Sequence, residues 1–146
     1  MSCADEKEVL KPAGELTLQL PAGQAAVNMF GDVYGGWVAS QLVLASEIRA
    51  GQEARGRIAT VSVGRMSFMS PVMCGTVLSF YTRVLERGNS SLRIEVEVWG
   101  RCPDGSELRK VTGAECVQVA IDRQGHIRSL PEPECGLRSG SWHRRR

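Results

Sequence analysis

Asn28–Ser46 reads NMFGDVYGGWVASQLVLAS, and this stretch decides the fold. It opens polar and glycine-rich, with one carboxylate at Asp32, and passes through Gly35 and Gly36 into an apolar run. From Trp37 to Ile48 the apolar residues are Trp37, Val38, Ala39, Leu42, Val43, Leu44, Ala45 and Ile48. They recur at three- and four-residue steps and also fill positions between. A surface helix carries a single apolar stripe, whereas a helix apolar on most faces belongs in a core. Ser40, Gln41, Ser46 and Glu47 break the run, so it is too short and too polar to span a membrane. The pattern predicts a central helix from about Gly35 to Arg49, stopped at Gly51 and wrapped by the rest of the chain. Its N-terminus offers free backbone N–H groups and partial positive charge. Glycines at that end let a ligand approach closely.

Upstream, Glu15–Leu20 alternates, with Leu16, Leu18 and Leu20 on one side and Thr17 and Gln19 on the other. That is the period of a half-buried strand. Pro21-Ala22-Gly23 ends it, and 24–31 forms a loop into the helix. Downstream the pattern is all strand. Ile58–Met69 carries Val61, Val63 and Phe68, with Gly64 marking a bulge or a close approach, and Ser70-Pro71 marks a turn or edge. Thr76–Arg87 is a long strand ended by the hairpin signal Gly88-Asn89. Ser91–Arg101 alternates cleanly, with Leu92, Ile94, Val96 and Val98 on one face. Pro103-Asp104-Gly105 turns the chain into the last strand, Leu108–Ile121, where Val111, Val117, Val119 and Ile121 stand out. Asp122–Gly125 is a further turn. One strand, one helix and four strands joined by short turns predict an α+β fold, an antiparallel sheet around one long helix, the hot-dog architecture. The expected domain is 14–131, between a loose N-terminal segment 1–13 and a flexible basic tail 132–146.

A chain of 146 residues is one domain by default and can bury a core without staples. Net charge is +2, with part of the excess in Arg144–Arg146, which gives no argument for nucleic acid. Cys3, Cys74, Cys102, Cys116 and Cys135 are odd in number and widely spaced, and His126 and His143 lie late in the chain. Neither a zinc site nor a disulfide framework has this spacing. Free thiols and the lack of an apolar leader predict a cytoplasmic protein, with no metal and no membrane segment. Cys74 and Cys116 read as apolar fillers.

Asn28, Gly31, Asp32, Gly35, Gly36, Trp37, Ser40 and Gln41 together resemble the helix-entry motif N-x-N-G-D-I-F-G-G-W-x-x-S-Q of YciA-like bacterial acyl-CoA thioesterases. Val61–Pro71 resembles that family's V-x-V-x-x-M-x-F-x-x-P strand, Gly88–Trp99 its next hairpin, and Thr112 with Val119–Pro131 its closing segment. The resemblance runs over about Gly14–Pro131. It implies a hot-dog fold, dimers with a continuous sheet, often trimers of such dimers, and hydrolysis of acyl-CoA to free CoA and a carboxylic acid. It implies active sites at the dimer interface, with Asp32 as the catalytic acid and no cofactor beyond the coenzyme A of substrate and product. The chain departs from the pattern at four positions. Phe30 replaces a polar Asn, Ser70 a basic residue before the proline, Thr76 the Asp of a Gly-Asp turn, and Gly113 the Glu after the threonine.

Thioester hydrolysis needs an activated water or a nucleophile, and donors for the developing oxyanion. Asp32 fits either role, as general base or as a nucleophile forming an anhydride, in a setting expected to be desolvated by Phe30, Tyr34 and a partner subunit. Backbone N–H groups near Gly35 and Gly36 fit the oxyanion. The competing reading is that Asp32 only caps the helix. Asn28, Tyr34, Ser90, Ser91 and Thr112 are candidate substrate contacts. Of the cations in the folded body, Arg65 and Arg87 are the candidates for the CoA phosphates. A hot-dog dehydratase is disfavoured, since its histidine or acid pair would lie near the helix. The alternative of another class is a hot-dog protein that binds acyl-CoA, or assembles with partners, without turnover.

Overall fold

The computed structural model describes residues 11–105 and 107–133. The expectations for residues 1–10 and 134–146, including Cys3, Cys135, His143 and the terminal arginines, lie outside the described residues. The elements are β1 (Glu15–Pro21), α1 (Gly35–Ala54), β2 (Ile58–Val63), β3 (Val77–Arg87), β4 (Ser91–Arg101) and β5 (Leu108–Ala120), with a short 3-10 turn at Gln24–Ala26. The five strands form one antiparallel sheet in the order β1-β3-β4-β5-β2, and α1 packs on one face of it. This is the expected α+β hot-dog arrangement.

The alternation in β4 reads through to packing. Leu92, Ile94, Val96 and Val98 are all buried in the core, beneath α1. In β5 only Val111 of the prominent valines is buried, and much of the inward face is small or polar. The buried residues are Val111, Thr112, Ala114, Cys116, Gln118 and Ala120, while Val117 and Val119 are only half-buried. Two of these inward residues are polar, and the helix meets one of them with a polar partner. Gln118 Nε2 donates to Ser46 Oγ on α1 at 2.8 Å, and its amide oxygen accepts from Thr60 of β2 at 2.9 Å. A buried amide is tolerated when it is hydrogen-bonded in this way. Burial pushes the Cys116 thiol up, so it stays protonated at neutral pH and acts as the core filler expected of it.

Three expectations change. First, α1 does not stop at Gly51 but runs one turn further. The Gly51 carbonyl accepts from the N–H groups of Arg55 and Gly56, and Arg55 itself takes the left-handed conformation that ends the helix. Arg49 pairs with Glu53 at 3.0 Å and Arg128 Nη2 caps the Ala54 carbonyl at 3.1 Å. These contacts and the burial of Ala50 and Ala54 outweigh the roughly 1 kcal/mol that a helical glycine costs.

Second, the strand beginning at Ile58 ends at Val63, not Met69. Gly64 does make a close approach, but to protein. Its N–H donates to Glu115 O at 2.7 Å, and a Cβ there would lie 3.0 Å from that oxygen. The chain then leaves the ladder and touches β5 again at Met69, whose N–H donates to Val111 O. The link from β2 to β3 is therefore a long crossing, 64–76, rather than a short turn.

Third, α1 is not wrapped on all sides within one chain. Its buried stripe is Val38, Leu42, Ala45, Ala50 and Ala54, together with Ser46, while Leu44 is 44% exposed. The apolar residues that made it read as a core helix partly face outward, on a surface that one chain leaves open.

Candidate active site

Asp32 sits in a turn built by Asn28. The Asn28 side-chain oxygen accepts from Phe30 N at 2.9 Å and Asp32 N at 3.1 Å, and the Asn28 N–H donates to Asp32 O at 2.8 Å. This is the local bonding that short amide side chains supply in turns. Gly31 has φ +86, which only a glycine adopts without strain. On its other side Asp32 forms a bridge with Met73, and Val33 N donates to Val72 O at 2.9 Å. The backbone of the acid is thus fixed from both flanks. Its carboxylate is half-buried and has no hydrogen-bond partner among the described residues.

The helix cap excludes the bland role for this acid. The N-cap is Tyr34, in extended conformation, and no side chain caps the helix. The N–H groups of Gly35 and Gly36 have no acceptor among the described residues, and the first turn carries no acidic residue. Two free amides and the positive end of the helix therefore begin three residues after an unpaired carboxylate.

Phe68 closes one side. Its ring lies 3.3 Å from where a Cβ on Gly35 would be, so glycine is what lets the aromatic reach the helix end. Both line an open groove of about 310 Å³, together with Val33, Val38, Met69 and the Ser70–Val72 strip. It is mostly apolar, as an acyl chain requires. Sequence reading placed Phe68 on a strand and gave it no part in the site. Its role depends on the chain leaving β2 at Gly64, for which the only signal was that glycine.

The comparisons with known proteins agree with this geometry. The family described as Thioesterase superfamily matches residues 30–101, from the acid's turn to the end of β4. The acyl-CoA thioester hydrolase YciA of Salmonella typhimurium is 40% identical over 124 residues, covering 82% of this chain and 92% of that protein. The chain belongs to the thioesterase superfamily. Among solved structures, a hexameric thioesterase of Yersinia pestis superposes with a TM-score of 0.80 at 38% identity, covering 84% of this chain and all of that one. A hexameric broad specificity acyl-coenzyme A thioesterase gives 0.82 at 36% identity, covering 88% of each chain.

The other candidates of this superfamily member are placed as follows. Asn28 and Tyr34 lie at the acid, Asn28 as the organiser of its turn and Tyr34 as the exposed N-cap. Tyr34 and Phe30 are both exposed, so neither buries Asp32 within one chain. Thr112 is fully buried and donates to Ser67 O at 2.7 Å, so it holds the 64–69 segment against β5 rather than opening onto the groove.

Arg65 lines a shallow cavity of about 410 Å³ on the sheet face away from the helix, among Glu95, Glu97 and Glu115. Arg87 lies beyond the other end of α1, where it donates to the Pro131 carbonyl beside Glu53 and Glu132. Ser90 and Ser91 are in the β3–β4 turn, beside the end of β5. Within one chain, then, Asp32, Gly35, Gly36, Asn28 and Tyr34 come together, and Arg65, Arg87, Ser90 and Ser91 stand apart from them. Among the described residues no cluster of three or more His, Cys, Asp or Glu is arranged to hold a metal ion.

Proposed function

We propose that this chain is an acyl-CoA thioester hydrolase. The observation that carries the reading is the half-buried, unpartnered carboxylate of Asp32 three residues before the free amides of Gly35 and Gly36, at a helix end whose Gly35 lines an apolar groove. In the general-base form, Asp32 takes a proton from water as the water oxygen attacks the thioester carbonyl. The oxyanion is met by the Gly35 and Gly36 N–H groups. The intermediate collapses with loss of the CoA thiolate, which takes up the proton, leaving the carboxylic acid. In the nucleophilic form, Asp32 attacks the carbonyl itself, expels the thiolate and forms an anhydride that water then opens. CoA is part of substrate and product, and no separate cofactor enters.

We infer a homodimer at least, with trimers of dimers as the full assembly. The support is the free edge of β2, which ends the sheet and exposes Val61 at 58% and Val63 at 45%, together with the exposed Leu44 of α1. An unpaired edge carrying large apolar side chains invites pairing with a second copy about a two-fold axis. The Ile58 end of β2 lies beside Ala120 and the Ser90–Ser91 turn, and its Val63 end leads to Phe68. Antiparallel pairing of β2 with its copy sets one end against the other. That brings Arg87, Ser90 and Ser91 of one copy toward the acid of the other, in a groove between subunits where CoA phosphates would lie. The two solved relatives described as hexameric support the larger assembly. Sedimentation at micromolar concentration should give a dimer or hexamer; a stable monomer removes this inference.

The hydrolase reading is tested by release of free thiol from a panel of acyl-CoAs, read with a thiol reagent. Turnover is expected. Binding of CoA by calorimetry at low salt with no thiol release on any member of the panel would instead make it a binding protein.

A further inference from the structure

Thr112 is fully buried in β5, and its Oγ1 donates to Ser67 O at 2.7 Å. Ser67 lies in the crossing from β2 to β3, outside any strand, so the ladder does not fix its position. Two residues on, Met69 N donates to Val111 O at 2.8 Å. These two bonds, to neighbouring residues of β5, hold the backbone on either side of Phe68. The ring between them is 45% exposed, and its tip lies 3.3 Å from where a Cβ on Gly35 would be. A wall anchored before substrate arrives needs little further ordering on binding, which favours affinity.

The groove that Phe68 and Gly35 share is lined by apolar side chains, apart from Ser70, whose Oγ is buried. No side chain of the lining therefore offers a hydrogen bond to an acyl group, and recognition rests on apolar area removed from water. Val33, Val38 and Val72 are buried and form a closed floor, so the accessible apolar area belongs to Phe68 and Met69. Phe68 is the one of these two that touches Gly35, whose N–H meets the thioester oxygen in the hydrolase reading. Its ring therefore stands beside the start of the acyl chain. We infer that Phe68 sets the acyl specificity of this site and that Thr112 positions it through Ser67. The substrate class is then CoA thioesters of unsubstituted aliphatic acids, bound more tightly as the chain lengthens. The inference rests on the hydrolase reading and names a residue, Thr112, that acts on substrate without touching it.

The test follows thiol release from acetyl-CoA, butyryl-CoA and hexanoyl-CoA. In the wild type kcat/KM should rise at least about tenfold from the shortest to the longest, mainly through KM; full burial of one methylene is worth about fourfold. Phe68→Ala should cut that rise to about threefold or less. Thr112→Val keeps the size of the side chain, loses the bond to Ser67, and should flatten the series in the same direction. Thr112→Ser keeps the bond and should keep the rise. A residue that acts through Phe68 has nothing further to change once the ring is gone. Phe68→Ala combined with Thr112→Val should therefore give the series of Phe68→Ala alone.

A threonine that serves only the fold would lower Tm in Thr112→Val and leave the rise as in the wild type, and that result overturns its positioning role. Flattening by Thr112→Val on top of Phe68→Ala would overturn it as well. A wild type that hydrolyses all three thioesters equally overturns the specificity, as does Phe68→Ala with the rise intact. These results leave the hydrolase reading standing, whereas a wild type that releases thiol from no acyl-CoA at all ends both.

Discussion

Asp32→Asn should lower turnover of a good acyl-CoA substrate by at least about 100-fold, with KM little changed. A general base contributes about 100- to 10,000-fold, and a lost nucleophile can cost more. A factor of 100 is about 2.7 kcal/mol of transition-state stabilisation. The fold is expected to survive, because what holds residue 32 is its backbone. Asn28 bonds its N–H and its carbonyl, and the bridge to Met73 fixes the other flank. The carboxylate itself holds nothing among the described residues.

The helix cap also makes a second variant informative. Were Asp32 the cap, Asp32→Ala would damage helix and chemistry together. Tyr34 is the N-cap and no side chain caps the helix, so Asp32→Ala should match Asp32→Asn in both activity and Tm. Near-normal thiol release by either variant would move the catalytic group elsewhere. A large fall in Tm with Asp32→Ala alone would restore the capping role.

The legible parts of this fold are those in which one chain carries its own signal. β4 runs over the span its alternation gives, because one face is wholly apolar and the other charged. The loop into the helix was legible as a loop, though the bonds from Asn28 to Asp32 that shape it were not. What failed to show depends on pairing across the chain. The inward face of β5 holds Gln118 and Thr112, satisfied by Ser46, Thr60 and Ser67 from other elements, so hydrophobicity alone does not mark it. The end of α1 was misplaced because Gly51 is outweighed by Arg49–Glu53 and by Arg128, which arrives from 74 residues away.

The same holds at the site. Arg65 and Arg87 were favoured for their place near matched motifs, yet each stands apart from Asp32. The outward apolar residues of α1 were legible as apolar. That the sheet of one chain leaves them uncovered was not.

Phe80→Ala should be among the most destabilising single changes in the chain, costing about 3–5 kcal/mol. Phe80 is fully buried in β3, paired with Leu18 of β1 on one side and Val98 of β4 on the other, in the cluster under α1. The backbone on both sides is locked in the ladder, so the sheet has little freedom to close over the space the ring leaves. Typical domains are stable by only about 5–15 kcal/mol, so one such cavity removes a large share. The readout is the denaturant midpoint at fixed protein concentration, since assembly would couple to folding. The m-value should stay unchanged.

The other two phenylalanines supply the contrast. Phe30 is 79% exposed, and Phe30→Ala should stay within about 0.5 kcal/mol. Phe68 is partly exposed against Gly35, so Phe68→Ala should act on substrate affinity more than on the midpoint. A cost below about 1 kcal/mol for Phe80→Ala would mean that α1 settles onto the sheet when the ring is removed. The sheet and helix would then be a looser pair than their burial indicates, and the groove at Gly35, which depends on where α1 begins, would have to shift with them.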